Sequence, residues 1–559
     1  MTSLKQSRTL FGFTSPRTIE KIIPEIKILH DNFHGLIWSG NETLQSQFFR
    51  ILFESDFYEG DTYPEDPALA DRDRITRAPK ALGFIDLKPT IQLTEAGELL
   101  LSGTRVDETF TKQMLKFQLP SPYHTQSKTT DFYVKPYLEL IRLINDLKSL
   151  SKTEISIFFL QLTDFRSYDD LLSKIIDFRK GAKEYRGNRK EYVNNIFEQE
   201  IKKIYHNEIE NNATMTRESS DKSLINFIRT KKANMKDYAD AFIRYIRATE
   251  LITFERRTFR LIISPQKKEE VSFILSTIPR EPILFATQHD FKRYLFNPRS
   301  VPLLSDNKDL VLEKLASFGA KVDSTLDIEV LKDILDSTKS KIKQKNIDES
   351  IKELKDYREL PDILNVFDQI RNREMPDPPL FLEWNVWRVF IMLNYAIRIE
   401  GNFTLDIDGM PLNRAQGNKA DMEIEFDDFS IIGEVTLSSG ATQFKMEGDS
   451  VPRHFGDFKQ RIGKDAYCLF IAPEIDEGTI AFFFNLNRGY TNRYGGSTRL
   501  IPISLRNFIK FFQTGVDNKF EDPKKLKRWL QRKWEICQSI HDETQWFEAI
   551  NEDVTAWAS

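Results

Sequence analysis

Cysteine is nearly missing from this sequence: Cys468 and Cys537 are the only two in 559 residues. Two thiols cannot build a disulfide framework or a Cys-rich zinc site, and they fit a reducing, cytoplasmic location. Long apolar runs are missing too. No stretch approaches the roughly 18 residues of a membrane span, so no membrane association is expected. The opening stretch MTSLKQSRTLFGFTSP is polar and lacks the apolar core of a secretory signal. A large excess of either charge is also absent, with 80 Lys and Arg facing 84 Asp and Glu. That balance conceals an asymmetry. Residues 1–300 hold 46 Lys and Arg against 41 Asp and Glu, so they carry +5 and the remainder −9. A polyanionic partner is therefore expected on the first part of the chain.

What is present suits a folded protein. The chain is 40% hydrophobic and 29% charged, which argues against general disorder. Its length implies two to four domains. No strong tandem repeat is visible, but two regions share one pattern. Residues 68–101, ALADRDRITRAPKALGFIDLKPTIQLTEAGELLL, begin as a helix carrying Arg72, Arg74, Arg77 and Lys80. Gly83 is placed to close it, two short strands follow around Lys88-Pro89, and a new helix starts near Glu95. Helix, strand, turn, strand, helix is the grammar of a winged helix. Residues 235–263 repeat part of it: an amphipathic helix turns Tyr238, Phe242, Tyr245 and Ile246 inward, and the hairpin LITFERRTFRLII sets Arg256-Arg257 at its tip. Between the two regions, FRKGAKEYRGNRK (178–190) gathers six basic residues against one Glu, and IRTKKANMK (228–236) gathers four more.

Residues 305–372 are rich in Lys, Glu, Asp and Leu and read as a helical connector, with Pro361 at a boundary. MPDPP (375–379) breaks helix and opens the last domain. That domain starts with LFLEWNVWRVFIMLNYAI, a buried helix with Glu383 near its start. A hairpin at about 421–437, a short helix near 441–448, and the strands DAYCLFIAPEI (465–475) and RLIPISL (499–505) complete it. The expected fold class is multidomain α+β. Helical, winged-helix recognition subdomains occupy 1–140 and 141–300, a helical linker 301–375, and an α/β domain 376–559.

The hairpin carries the sharpest geometric expectation. With Asp427 and Asp428 as a two-residue turn, Phe426 faces Phe429 and Asp421 faces Glu434. Opposed residues have Cβ atoms about 4.5–5.5 Å apart, where like charges destabilise. Two such carboxylates need a shared proton or a cation. A hard divalent ion such as Mg²⁺, held by one or two carboxylates plus water and phosphate oxygens, meets that need. A register slip of one residue would separate the pair, and acids on an exposed hairpin are usually only solvated. Glu434, however, sits between Gly433 and Val435 in an apolar strand, and Glu383, Glu447 and His454 add three more groups capable of metal or proton chemistry.

At these residues the chain resembles the AlwI family of type IIS restriction endonucleases and their strand-nicking relatives. The resemblance lies in FLEW, in GNKADMEIEFDDFSIIGEVTLSSGATQFKMEGDSVPRHF and in YCLFIAPEI. In the N-terminal half it lies in SPRTIEKIIPEIKIL and RDRITRAPKALGF…LTEAG. It implies that the last domain is a PD-(D/E)xK-like nuclease in which an Asp and a strand Glu bind Mg²⁺. It assigns Glu383, Asp421, Glu434, Glu447 and His454 to the catalytic site, with Asp421 and Glu434 as metal ligands. One departure stands out: Glu434-Val435-Thr436 has Thr where that motif usually has Lys. Lys445 is one residue placed to substitute, and Glu447 with His454 is the other.

The activity implied is that of a bacterial, cytoplasmic restriction enzyme acting on double-stranded DNA. Its site would be short and asymmetric, about five base pairs and GGATC- or GAGTC-like. Candidate DNA contacts are Arg17, Arg72, Arg74, Arg77 and Lys80 in the first region and Arg229, Lys231, Lys232 and Arg256 in the second. Any one of them is more often a solvated charge; the weight rests on the set. The connector would hold cleavage a few base pairs outside the site, and Mg²⁺-activated water would leave a 5′-phosphate and a 3′-hydroxyl. One active site cuts both strands only with a second catalytic domain, from a transient homodimer or a small partner subunit. Without one, the chain is a nicking enzyme. GDFKQRIGKDAYC, after His454, is expected as a short loop that decides whether catalytic domains meet. The rival class is a non-catalytic winged-helix DNA-binding regulator, which has no need for Asp421 opposite Glu434.

Overall fold

Apolar residues at helical and strand spacing sort this chain into two units in the computed structural model: most of residues 7–342, and residues 343–557. The structure describes residues 7–557 apart from 17, 56, 59–62, 125–130, 217, 373–374, 394, 415–418, 519, 521, 553 and 556, and apart from the side chains of 71–73.

The first unit is mostly helical. Helix α1 (Ile22–Phe33) buries Ile22, Ile26, Leu29 and Phe33 along one face. The 68–101 pattern forms in the expected order. Helices α2 (Pro67–Thr76) and α3 (Ala78–Ala81) lead into an antiparallel pair, β1 (Ile85–Asp86) and β2 (Gln92–Leu93), and then α4 (Glu95–Leu101). Gly83 takes φ +79, the left-handed value that lets glycine end a helix. Thr94 caps α4 by accepting from the Gly97 N–H. Further along come α5 (Tyr168–Glu184), α6 (Arg189–Ile204) and α7 (Leu224–Arg247). The second expected hairpin follows as β3 (Ile252–Phe254) and β4 (Leu261–Ile263). Phe242, Tyr245 and Ile246 are buried as their spacing predicts, and Tyr238 is half-buried.

Most of the described residues between 301 and 375 are helical. Val311 and Leu315 pack with Leu331 and Leu335 in an apolar cluster of the first unit. Helix α8 (Ile328–Lys355) runs across the division between the units. Helix α9 (Leu360–Asn372), with Pro361 in its first turn, buries Ile363, Val366, Phe367 and Ile370 in the second unit. A helix with an apolar stripe buries it against a core, and each half of this stretch has one within reach.

The second unit is built on α10 (Pro378–Leu393), buried at every position from Leu380 to Leu393. Beside it lies a five-stranded sheet in the order β11-β10-β9-β8-β5. Its strands are β5 (Arg398–Gly401), β8 (Met422–Glu425), β9 (Phe429–Val435), β10 (Asp465–Ala472) and β11 (Leu500–Ser504). A separate hairpin, β6 (Phe403–Leu405) and β7 (Pro411–Arg414), sits between β5 and β8 in sequence. Strands β9, β10 and β11 run parallel to one another, β8 runs antiparallel to β9, and β5 runs antiparallel to β8. All seven residues of β9 and seven of the eight in β10 are buried, the continuous burial expected of strands covered on both faces.

One element is longer than its sequence suggests. The short helix expected near 441–448 is a single helix, α11 (Gly440–Ile462), that runs through Pro452 and ends at Gly463 with φ +66. An internal proline costs about 3 kcal/mol in an isolated helix. Here Gln443, Val451, Phe455 and Phe458 form a buried stripe across it, and that burial outweighs the proline. The segment after His454 is therefore helix up to Ile462, and the expected loop is not there. Among the described residues, no helix is long and apolar enough to cross a membrane.

Gly456 on α11 lies against the Tyr494 backbone, where a Cβ would stand 2.6 Å from the carbonyl carbon and oxygen. Backbone cannot swing aside as a side chain can. Gly456→Ala is expected to destabilise the second unit by roughly 1–3 kcal/mol. The measurement is thermal melting followed by circular dichroism; an unchanged midpoint would show that α11 shifts freely there.

Candidate active site

The β8–β9 hairpin has the register that its turn implies. Glu425 pairs with Ser430, Ile424 with Ile431, Glu423 with Ile432 and Met422 with Gly433. The Phe426 N–H donates to the Phe429 carbonyl at 2.9 Å, closing a two-residue turn, and the two rings stack at 4.4 Å. The next pair outward is Asp421 and Glu434. Asp421 Oδ2 accepts from the Val435 N–H at 2.7 Å, which ties its side chain to the partner strand.

Three more groups converge on that pair. Glu383 comes from α10, and Glu447 and His454 from α11, seven residues apart and so on nearly one face of the helix. His454 Nδ1 and Glu434 Oε1 form a hydrogen bond of 2.8 Å. Glu383 Oε1 is paired with Arg414 Nε at 2.8 Å. Glu383 and Glu434 are 2% and 5% exposed, so both carboxylates are held out of water.

The electrostatics follow from that burial. Desolvation first, and the charge of Asp421 second, push Glu383 well above the usual carboxylate range, while Arg414 pulls it back. Glu434 is pushed well above its usual range by burial, then by Asp421 and Glu447. Asp421 is raised by burial, against the Val435 hydrogen bond and the charges of Arg414 and His454. Burial raises Glu447 to about 7, with a hydrogen bond from Thr436 acting in the other direction. His454 is lowered by burial and by Arg453, with Asp421, Asp457 and Glu447 opposing. Each of the five groups feels at least one of the others. The cluster holds more negative charge than it can solvate, and protons or a cation must supply the difference.

The donor set suits a hard cation. Among the described residues, no three His, Cys, Asp or Glu side chains form a ready-made metal cage. Mg²⁺ does not require one, since it keeps waters and takes one or two carboxylates together with substrate phosphate. Asp421 and Glu434 meet that requirement. A groove of about 750 Å³ opens beside His454, lined in part by Trp387, Arg398, Lys419, Glu423 and Arg461.

Three participants were not expected. Arg414 enters from β7, outside the 418–455 block, and a single Arg at a strand end has no signature. Arg453 precedes His454 on the helix, and its charge acts on the imidazole. Thr436 stands at the position where the broad motif has Lys, and its bond to Glu447 ties that carboxylate to the end of β9. Lys445, considered as a substitute for the motif Lys, is exposed on α11.

In the first unit the expected DNA contacts divide. Arg74 is committed to the interior, pairing with the fully buried Glu25 carboxylate at 2.5 Å. Lys80 is 6% exposed and lies 4.6 Å from the Tyr123 ring centroid. Lys231 lies over the Tyr205 and Phe227 rings, and Lys232 donates to Asn194 at 2.7 Å. Arg77 reaches Thr14, and Arg229 is exposed beside Asn226. Arg256 lies between β3 and β4, half-buried and engaged within the fold. Arg17 and the Arg72 side chain fall outside the described residues.

The sequence profile of the AlwI restriction endonuclease family matches residues 80–511. A search of curated proteins finds no match. Among solved structures the chain is similar to the small subunit, R.BspD6I2, of the heterodimeric restriction endonuclease R.BspD6I. That likeness has 30% identity over 34% of this chain and 98% of the other, with a TM-score of 0.30. It is also similar to the BpuJ1 endonuclease binding domain, seen with pyrene- and phenanthrene-modified DNA, at 12% identity over 52% of this chain and 97% of that one, TM-score 0.34. The matched span takes in every residue of the carboxylate cluster, and the protein is a site-specific DNA endonuclease. The chain belongs to the AlwI restriction endonuclease family. The reading as a non-catalytic regulator is thereby set aside.

Because Glu447 is raised from 4.5 to about 7, the folded protein keeps a proton that the unfolded chain has released. Stability is therefore lost as pH rises across that interval. Glu447→Gln is expected to melt several degrees higher than wild type at pH 8 without divalent metal, with the gain shrinking toward zero near about pH 4. Equal midpoints at both pH values would show that Glu447 is solvated.

Proposed function

We propose that this enzyme is a type IIS restriction endonuclease: it reads a short asymmetric sequence, about five base pairs and GGATC- or GAGTC-like, and hydrolyses phosphodiester bonds a few base pairs outside it. The observation that carries this reading is the buried juxtaposition of Asp421 and Glu434, joined by Glu383, Glu447 and His454, inside the span matched to the family. The second unit is the nuclease, of PD-(D/E)xK type. The first unit is the reader, with the helix-and-hairpin arrangements around β1–β2 and β3–β4 serving as winged helices.

Asp421 and Glu434 are the residues that would hold Mg²⁺. When bound, that ion supplies charge neutralisation at the scissile phosphate and a water of lowered pKa. The chain's own groups do the rest. The hydrogen bond between His454 and Glu434 fixes the orientation of that carboxyl. Glu447, with a carboxyl near neutrality, is suited to take up or hold a proton from the attacking water, and Thr436 orients it in place of the motif Lys. Arg414 screens Glu383, which keeps that acid from adding its full charge to the cluster. The groove beside His454 offers a path for the strand being cut.

Asp421→Asn and Glu434→Gln are each expected to lower plasmid cleavage on the order of 100- to 1000-fold, while binding to the target duplex in Ca²⁺ persists. Scission at full rate in either variant would overturn the reading. Sequencing the ends of cut DNA then gives the site, the offset and the number of strands cut.

One cluster of this kind is present among the described residues of a chain, so double-strand cleavage calls for a second catalytic domain. Transient dimerisation on DNA is the proposed source. Sedimentation with target duplex and Ca²⁺ is expected to show a dimer. A strict monomer that still linearises plasmid would remove dimerisation as the cause, and a monomer that only nicks would make this a nicking enzyme or one subunit of a pair.

A further inference from the structure

The junction of α5 and α6 is a built feature that the reading elements leave unused. The two helices approach closely: a Cβ on Gly181 would stand 2.2 Å from Tyr192 Oη, and the Phe178 and Tyr192 rings stack at 5.7 Å. Tyr185, at the end of α5, lies against Tyr192 at 5.3 Å. Gly187 makes room for that ring, since a Cβ there would be 2.6 Å from Tyr185 Cε1. Asn188 caps α6 by accepting from the Lys190 N–H at 2.9 Å. Two glycines, two tyrosines and a cap thus hold a tight tip rather than a floppy loop.

What the tip presents is positive. Lys180, Lys183, Arg186, Arg189 and Lys190 are all exposed, against Glu184 and Glu191. Lys236 on α7 is exposed as well, and its charge acts on Lys232, which is bonded to Asn194 of α6. The N-terminal end of α6, where helix dipoles sum to positive charge, points the same way. A protein of net charge −4 has here a rigid local excess of cations.

We propose that the α5–α6 tip binds the phosphate backbone of duplex DNA next to the recognised site. This rests on the reading of the first unit as the DNA reader. Cations at a rigid tip lose little freedom on contact, and backbone contacts position the protein without selecting sequence. Each phosphate neutralised releases counterions and contributes about 0.9 to the slope of log affinity against log salt.

The test uses the full chain in Ca²⁺, a duplex carrying the mapped site and an unrelated duplex, titrated at several KCl concentrations. The triple variant Lys183→Ala, Arg186→Ala, Arg189→Ala is expected to lose roughly two to three from the magnitude of that slope. Its preference for the site over the unrelated duplex, its cut position and its melting temperature should stay unchanged. Glu184→Gln with Glu191→Gln should strengthen binding to both duplexes, which keeps the idea testable if the triple variant folds poorly. An unchanged slope, with wild type binding and cutting its site normally, overturns the tip while leaving the proposed function standing. An unchanged slope accompanied by lost adhesion to anionic phospholipid vesicles would assign the tip to a membrane surface and equally overturn it. Failure of wild type to bind or cut any duplex would instead overturn the proposed function.

Discussion

Two carboxylates held opposite each other across an antiparallel hairpin are the constraint on which the second unit depends. Asp421 and Glu434 are adjacent only in the register that pairs Met422 with Gly433. A shift of one residue turns the entire strand over. The packing defends that register. A Cβ at Gly433 would lie 2.5 Å from Met422 Cγ, so the small residue lets the methionine sit where the ladder requires it. Strand β9 is then locked from its other edge by parallel pairing with β10, which sets Glu434 beside Phe470.

The same constraint organises the surroundings. Isolated charges are not tolerated in a dry interior, so the structure brings compensation from three directions. Arg414 comes from a separate hairpin, His454 from the crossover helix and the Val435 N–H from the partner strand. These offset the repulsion without cancelling it, and the net result is a site whose acids favour protons or a cation over remaining bare. That property distinguishes it from the surface ion pairs elsewhere in the chain, which are solvated and contribute little.

The hairpin was legible in the sequence because a two-residue turn leaves one register, and alternating residues then name their partners. The turn Asp427-Asp428 has a weak signature, and its support is tertiary. Lys464 donates to the Phe426 carbonyl at 2.5 Å, and Lys527 bridges Asp428 and Asp465 at 3.0 Å each. The strands β10 and β11 were legible as continuous apolar runs. What was not legible depends on contacts far apart in sequence. The length of α11 is decided by the core that its apolar stripe meets, and Pro452 is a misleading local signal. Lys80 and Arg74 read as surface cations, but Tyr123 and Glu25, distant in sequence, draw them inside. Arg414 reaches Glu383 through a fold that no local pattern announces. The helical stretch 301–375 was recognisable as helix, while its division between two cores was not.

Pro452 falls between Glu447 and His454, and it removes the N–H that would otherwise bond to the Gly448 carbonyl. A helix missing that rung bends there more easily than along its intact turns. The spacing of the acid and the imidazole therefore rests on burial as well as on backbone: Gln443 and Val451 pin the helix before the missing rung, and Phe455 and Phe458 pin it after.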